Sequence, residues 1–409
     1  VENVHLRELD LSPDEIMISE SQERMLVITS PKKFPKINQI CKKFRIQCSM
    51  IGKVKKDKMM HVKKGKKTLA LLPADFVARG PLIDRQKSIP KYLSNITSSP
   101  KKKIKKSPSN VLAQLLSSPN IASKHWVFRQ YDHEVGIRTT VKPGFDSSVL
   151  RLDNGKSLSI KIDGNPKHCY LNPRDGAIGC FEEACRNVVC TGAKPIGMVD
   201  HLQFGSPEDP EIFWTFMESI EGITDYAKAM NIPCVGGKVS FYNETNDGPI
   251  KPTPLIGVLG LIEKSPLLPK PPTKNDVLLL VGETKDELGG SEYYEYIHDF
   301  IGGSVPKVSI SVSKRNMHSV LSLISKKLVT NVHDCSKGGL SCAISEICIS
   351  GKIGCNVNLK NVSHMSPEKS LFSESHSRYL LVVKKKKLED VQKLLSKNKC
   401  HFSQIGIFI

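Results

Sequence analysis

The sequence predicts an α/β chain of mixed α+β character, built on a duplicated module whose first copy is present only as its C-terminal end. Two observations carry this expectation. Apolar runs of strand length alternate with helical patterns from about residue 125 onward. In addition, SESQERMLVIT at Ser19 recurs as SESHSRYLLVV at Ser373, and IGKV at Ile51 recurs as IGIF at Ile405. Both pairs lie 354 positions apart (373 − 19 and 405 − 51), so the register holds across the element between them. At 409 residues, two or three domains are expected.

Residues 1–85 read as the C-terminal part of the first module. Ser12–Val27 ends by entering a strand, a lysine-bearing helix follows around Pro35–Phe44, and Ile46–Ile51 reads as a second strand. Residues 86–124 are a polar, lysine-rich linker carrying a short helix at Asn110–Leu116. A domain at 125–268 has strands expected at Ser147–Leu152, Leu158–Ile162, Pro195–Leu202, Pro233–Val239 and Leu255–Ile262. Within it, Phe181, Ala184, Val188 and Val189 share one helix face that Gly192 is placed to cap. Ser206 is expected to open a long amphipathic helix with Glu208, Asp209 and Glu211 in its first turn, where carboxylates suit the helix dipole. A second domain at 269–409 has a strand at Asp276–Val281, a helix opening at Gly290, and another helix after Asn331–Leu340.

The net charge of +19 is carried largely by lysine runs at Lys53–Lys67, Lys101–Lys106 and Lys384–Lys387. They lack interleaved aromatics and arginines, so solvated surface is expected rather than a nucleic-acid interface. No apolar run is long enough to span a bilayer and no leader pattern is visible, which leads to the expectation of a soluble cytoplasmic protein without a membrane partner. The twelve cysteines include no C-x-x-C pair and read as reduced, buried thiols.

Several strings have both a chemical and a plain reading. Glu20, Ser21 and Gln22 offer a carboxylate, a hydroxyl and an amide that can hold a polar substrate, or else form a turn. The second copy, Glu374-Ser375-His376, exchanges the amide for an imidazole. Asp163-Gly164-Asn165 and Asp200 end apolar strands, where a carboxylate is either a ligand or a turn residue. Gly237 lets a backbone amide approach a phosphate, or makes a tight corner. Gly338-Gly339 after Asp334, and Gly289-Gly290-Ser291, expose amides to an anion or simply cap helices.

Taken together, LSPDEIMISESQERML, SPNIASKHWVFRQYDHEVG, EEACRNVVCTGAKPIGMVD, QFGSPEDPEIFW, GGKVSFYNET, ELGGSEY, HDCSKGGL and LFSESHSRYLL closely resemble, in family order, phosphoribosylformylglycinamidine synthase in its small multi-subunit form. The resemblance is to the second half of the family's polypeptide and covers nearly the whole chain outside the lysine-rich linker. It implies duplicated aminoimidazole-ribonucleotide-synthetase-like modules with N-type and C-type domains, the first truncated. It also implies ATP-dependent conversion of formylglycinamide ribonucleotide and ammonia to the formylglycinamidine in purine biosynthesis. ATP would phosphorylate the amide oxygen and ammonia would attack the iminophosphate, with Mg2+ neutralising the phosphates. A separate glutaminase subunit would supply the ammonia, with a small bridging subunit between the two.

Residue by residue, Glu20, Ser21 and Gln22 match the family's substrate-binding triplet and Ser240 a further substrate position, while Asp200 and Gly237 match ATP-binding positions. The family places a magnesium-ligating Asn directly after that glycine, where this chain has Lys238. An ammonium donates and cannot ligate a cation, so no metal ligand is assigned there. The catalytic His and the principal magnesium carboxylates belong to the N-terminal half, which the chain should need for activity. Two rival expectations are a non-catalytic nucleotide-binding or scaffolding subunit and a nucleic-acid binder using the lysine runs.

Overall fold

A computed structural model of the chain describes residues 1–80, 83–101, 106–264, 266 and 269–409. Most of the expected lysine run after Lys101 and the end of the expected 125–268 domain lie outside the described residues. The chain divides into two compact units, Val1–Asp84 and Arg85–Ile409.

In the first unit, helix α1 (Pro13–Ile18) starts with a reciprocal cap between Ser12 and Glu15. Helix α2 (Phe34–Lys43) is amphipathic and is followed by a hairpin of β1 (Met59–Lys64) and β2 (Lys67–Pro73) and by α3 (Ala74–Arg79). The strands expected at the end of Ser12–Val27 and at Ile46–Ile51 are not formed. Met25, Leu26, Val27 and Ile28 are instead 89, 76, 62 and 79% exposed. The second copy supplies the physical reason. There the counterparts Tyr379, Leu380, Leu381 and Val382 are wholly buried, hydrogen-bonded to strands on both sides. Shifted by 354, the positions of those flanking strands are not among the 409 residues, and residues 25–28 have no pairing strand among the described residues.

The second unit begins with α4 (Pro108–Leu116) and, among the described residues, contains two large sheets and a two-stranded ladder of Glu244–Thr245 with Gly248–Pro249. The first sheet is formed by β3 (Thr139–Val141), β4 (Ser148–Arg151), β5 (Ser157–Asp163), β6 (Lys194–Gln203), β7 (Cys234–Ser240) and β8 (Thr253–Ile262). Its order is β3-β4-β5-β8-β6-β7, antiparallel except for the parallel pair β6 and β7. Between β5 and β6 run α5 (Pro166–Leu171) and α6 (Pro173–Cys190), and between β6 and β7 runs α7 (Pro210–Met230). The second sheet is formed by β9 (Val277–Val281), β10 (Asn331–Asp334), β11 (Cys355–Val357), β12 (Tyr379–Val383) and β13 (Phe402–Phe408), all pairs antiparallel, in the order β10-β12-β9-β13-β11. Its helices are α8 (Ile310–Ser325), α9 (Gly339–Gly351), α10 (Pro367–Phe372) and α11 (Leu388–Lys397). The central strands β9 and β12 are buried along their whole length, which their unbroken Val/Leu/Tyr content anticipates. Helix α6 lies between the first sheet, α7, α8 and β10, so one apolar core runs through both sheets.

Two expected helix starts move. Helix α7 is capped by Asp209 and begins at Pro210, leaving only Glu211 in its first turn, because proline is preorganised for the first helical position. Ser206 bonds Glu208 instead, Oγ to Oε2 at 2.8 Å. The helix expected at Gly290 is a single π turn at Tyr293–Ile297. Gly290 accordingly has φ +67°, and its amide donates to Gly302 O at 3.0 Å, so the returning chain occupies the space a longer helix needs. Gly192, with φ +85°, does close α6, donating to Val189 O at 2.9 Å.

Candidate functional site

Parallel pairing of β6 and β7 sets Asp200 directly beside Gly237. A Cβ on Gly237 would lie 2.8 Å from Asp200 Cγ and 2.9 Å from Oδ2, so a larger residue there requires the carboxylate to shift. Asp200 opens into a cleft of about 780 Å³ beside α7, with Leu202, Ile223, Lys228, Cys234 and Val239 among its walls. Cys234 Sγ donates to Asp200 Oδ2 at 3.5 Å. The walls are mainly apolar with a carboxylate and a lysine at the rim, a composition suited to a flat ring carrying a charged tail.

The pleat separates the motif's remaining residues from this pair. Lys238 is registered with His201 and Ser240 with Gln203, so both alternate to the face of the sheet opposite Asp200 and Gly237. Lys238 is exposed and has no hydrogen bond or ion pair among the described residues. Ser240 is held at the strand end by Asn243, whose Nδ2 donates to Ser240 O at 2.8 Å and Phe204 O at 2.9 Å. On the same face, Ile162 and Val199 flank Gly257 in register and are exposed, forming an uncovered apolar wall. Glu20, Ser21 and Gln22 belong to the first unit, in an exposed loop after α1. The structure therefore brings Asp200 and Gly237 together, sets Lys238 and Ser240 on the other face, and carries the triplet on a separate unit.

Sequence reasoning missed a buried polar band in the second unit. Arg186, within α6, pairs with Glu182 on its own helix and with Asp334 at the end of β10, Nη2 to Oδ2 at 3.1 Å. Burial opposes ionisation of Glu182, but the Arg186 guanidinium outweighs it and holds the acid at about 2. Asp146, His333 and Asp334 bring possible ligand atoms within 4.8 Å of one another. Each already has a protein partner: His333 Nδ1 lies 3.0 Å from Asp146, its Nε2 lies 2.8 Å from Glu346, and Asp334 has Arg186. Burial disfavours the imidazolium, yet the Asp146 and Glu346 carboxylates push His333 well above its ordinary value. Asp163, at the exit of β5, is raised by burial and by Glu183, and is partnered by Lys337 at 3.2 Å. The one sequence signal for this band was the density of charge in EEACRN, within an otherwise apolar helix.

The glycine-led amides that could meet an anion or cap a helix have partners within the chain: Gly338 N donates to Glu374, Gly290 N to Gly302 O and Ser291 N to Leu288 O. Glu374 Oε1 accepts from Gly338 N at 2.8 Å and from Glu292 N at 2.9 Å. Burial is the main reason that the Glu374 carboxyl is pushed up to about 7; Lys167 acts against it and Glu292 with it.

Residues 144–262 match the AIR synthase related protein N-terminal domain, and residues 1–64 and 273–409 match the corresponding C-terminal domain. Among curated proteins, the chain is 43% identical over 403 residues to the phosphoribosylformylglycinamidine synthase subunit PurL of Pyrococcus horikoshii, covering 96% of this chain and 54% of that protein. The PurL subunit of Alkaliphilus metalliredigens is 40% identical over 413 residues, covering 98% of this chain and 55% of that protein. The chain thus spans about half the length of the curated relatives it matches. Among solved structures, T. maritima PurL complexed with AMPPCP aligns with TM-score 0.66 and 22% identity over 99% of this chain and 59% of that one. T. maritima PurL complexed with FGAR aligns with TM-score 0.62 and 21% identity over 75% and 50%, and the structure of PurLQS from Thermotoga maritima with TM-score 0.54 and 23% identity over 64% and 42%. At these identities the solved structures establish a shared fold.

Proposed function

Because the chain belongs to the AIR synthase related family and is 40–43% identical to PurL subunits of phosphoribosylformylglycinamidine synthase, we propose that it is the C-terminal half of the ATP-dependent synthetase that converts formylglycinamide ribonucleotide and ammonia to formylglycinamidine ribonucleotide. The observation that carries this reading is the Asp200–Gly237 pair at the mouth of a nucleotide-sized cleft, in the parallel corner of the sheet. ATP would be held there; that a related PurL has been solved complexed with AMPPCP supports nucleotide binding by this fold. Glu20, Ser21, Gln22 and Ser240 would contribute to the binding of the ribonucleotide. The step they serve is phosphorylation of the substrate's amide oxygen followed by attack of ammonia. In it the protein's part is to position reactants and stabilise phosphoryl charge.

Magnesium does not fit at position 238, because the lysine there has only donors to offer. Its exposed, unpaired ammonium would attract a phosphate oxygen instead. The uncovered apolar wall at Ile162 and Val199 supports a second polypeptide closing the site on that side. That partner is the N-terminal half of the synthetase, which would carry the catalytic His and the metal-binding carboxylates. A glutaminase subunit and a small bridging subunit would complete the assembly in the cytoplasm, and the solved PurLQS structure is the comparison that supports a multi-subunit form. No helix among the described residues is long and apolar enough to cross a membrane.

Lys238 and the absence of a metal ligand beside it favour one second reading, a nucleotide-binding subunit without catalytic function. Mixing the chain with the N-terminal half separates the two. Phosphate release that requires formylglycinamide ribonucleotide, ATP and ammonia together supports the synthetase. A stable complex that binds ATP without turnover supports the scaffold.

A further inference from the structure

The two copies of the Glu-Ser-x triplet are in the same local shape, and only one has its partners. Helix α1 shifted by 354 is α10, and α2 shifted by 354 is α11, end for end. Glu23 and its counterpart Ser377 both adopt left-handed backbone, φ +62° and +61°. Such a conformation is uncommon for a residue with a Cβ and marks the loop closely. Arg24 Nη2 donates to Ser19 O as Arg378 Nη2 donates to Ser373 O. The first-copy loop therefore holds the second-copy conformation without neighbouring strands to impose it.

In the second copy the triplet's carboxylate faces backbone. Glu374 is 4% exposed, and a single oxygen accepts from two amides, one at the glycine-led start of α9 and one at Glu292. Ser375 Oγ beside it accepts from Lys285 N at 3.0 Å. Subtracting 354 from 292, 338 and 285 gives positions outside the chain's 409 residues, so Glu20 lies exposed with no hydrogen-bond partner among the described residues.

We infer that Glu20 is a positioning residue, whose carboxylate accepts two backbone N–H groups from the N-terminal half of the synthetase and so presents Gln22 to the substrate. The inference rests on the proposed function and refines it, since the resemblance alone makes Glu20 a substrate ligand. A carboxylate clamped by two amides has one oxygen fully used, and its negative charge is spent on the protein–protein seam. The partner is specified by its chemistry: a glycine-led helix start and an adjacent loop, each offering one free amide.

The test uses the complex of this chain with the N-terminal half, reading both the association constant and KM for formylglycinamide ribonucleotide at saturating partner. Glu20 is exposed in this chain, so substituting it removes no core packing. Glu20→Ala is expected to weaken association by roughly 10- to 100-fold, as loss of charged hydrogen bonds at a buried seam requires. Glu20→Gln keeps an acceptor oxygen and restores association to within about 5-fold. Gln22→Ala raises KM with association unchanged. A rise in KM for Glu20→Ala with unchanged association overturns the inference, as does equal loss of association in the Ala and Gln variants. Should the wild-type complex form but never turn over, the proposed function fails, while the association series still decides the role of Glu20.

Discussion

Substituting Gly237 by alanine tests the nucleotide cleft through a single methyl group. Gly237 is not in left-handed backbone, so alanine introduces no dihedral strain, and the whole effect is steric. The new Cβ would stand 2.8 Å from Asp200 Cγ and 2.9 Å from Oδ2, whereas ordinary contact begins at 3.4 Å. Asp200 must therefore retreat by roughly 0.5–1 Å, at a cost to the fold of about 1–3 kcal/mol at most. Because β7 is the edge strand of its sheet, part of that strain relaxes outward, and a melting shift near the lower end is expected. Ligand positioning is less forgiving, since a displacement of about 1 Å can cost on the order of 100-fold in function. Calorimetric titration of AMPPCP into the wild-type and Gly237→Ala complexes should show at least a roughly 10-fold loss of affinity, with circular dichroism unchanged. Equal affinity in a folded variant would refute the placement of the nucleotide beside Asp200.

Three further outcomes follow from the same geometry. Arg186→Met removes the cation shared by the buried Glu182 and Asp334, leaves them with their hydrogen bonds to Ser313, Ser377 and Asn187 and the His376 contact, and should destabilise the chain by about 3 kcal/mol in urea unfolding. Lys238→Ala, on the face opposite Asp200 and Gly237, should raise KM for the ribonucleotide in the complex while leaving the Kd for AMPPCP unchanged. Glu374 has its folded pKa raised from 4.5 to about 7, so the folded state holds the extra proton between those values. Its contribution then falls as pH rises from about 4.5 to 7, by on the order of 2–3 kcal/mol, and Glu374→Gln should flatten that part of the stability profile in denaturant titrations.

The sheets of the second unit were legible because their strands are apolar runs whose burial the pattern itself records. β5, β6, β8 and β9 start and stop within two residues of their expected limits. Asp200 and Gly237 were legible as an acid and a glycine expected at strand ends; both instead lie inside β6 and β7, where parallel pairing makes them neighbours. What periodicity cannot carry is the presence of a partner. Met25–Ile28 has strand-forming composition yet stays unpaired, because a strand is a property of two segments and the second is not among these residues. The polar band was hidden for a related reason. Arg186 and Asp334 meet across 148 positions, and no local window contains both. Of the glycine-led amides singled out in the sequence, that of Gly338 donates to the Glu374 carboxylate, whereas those of Gly290 and Ser291 donate to the carbonyls of Gly302 and Leu288.

The central claim is that these units are one part of a shared structure, completed by strands from the N-terminal half. Backbone hydrogen exchange at Met25–Ile28, measured with and without that half, tests this most directly. These amides lie on exposed, unpaired backbone in the chain alone and should exchange at close to unprotected rates. In the complex they should slow by roughly 100-fold or more, as amides of a central strand do. Unchanged exchange in a complex that demonstrably forms would contradict the account.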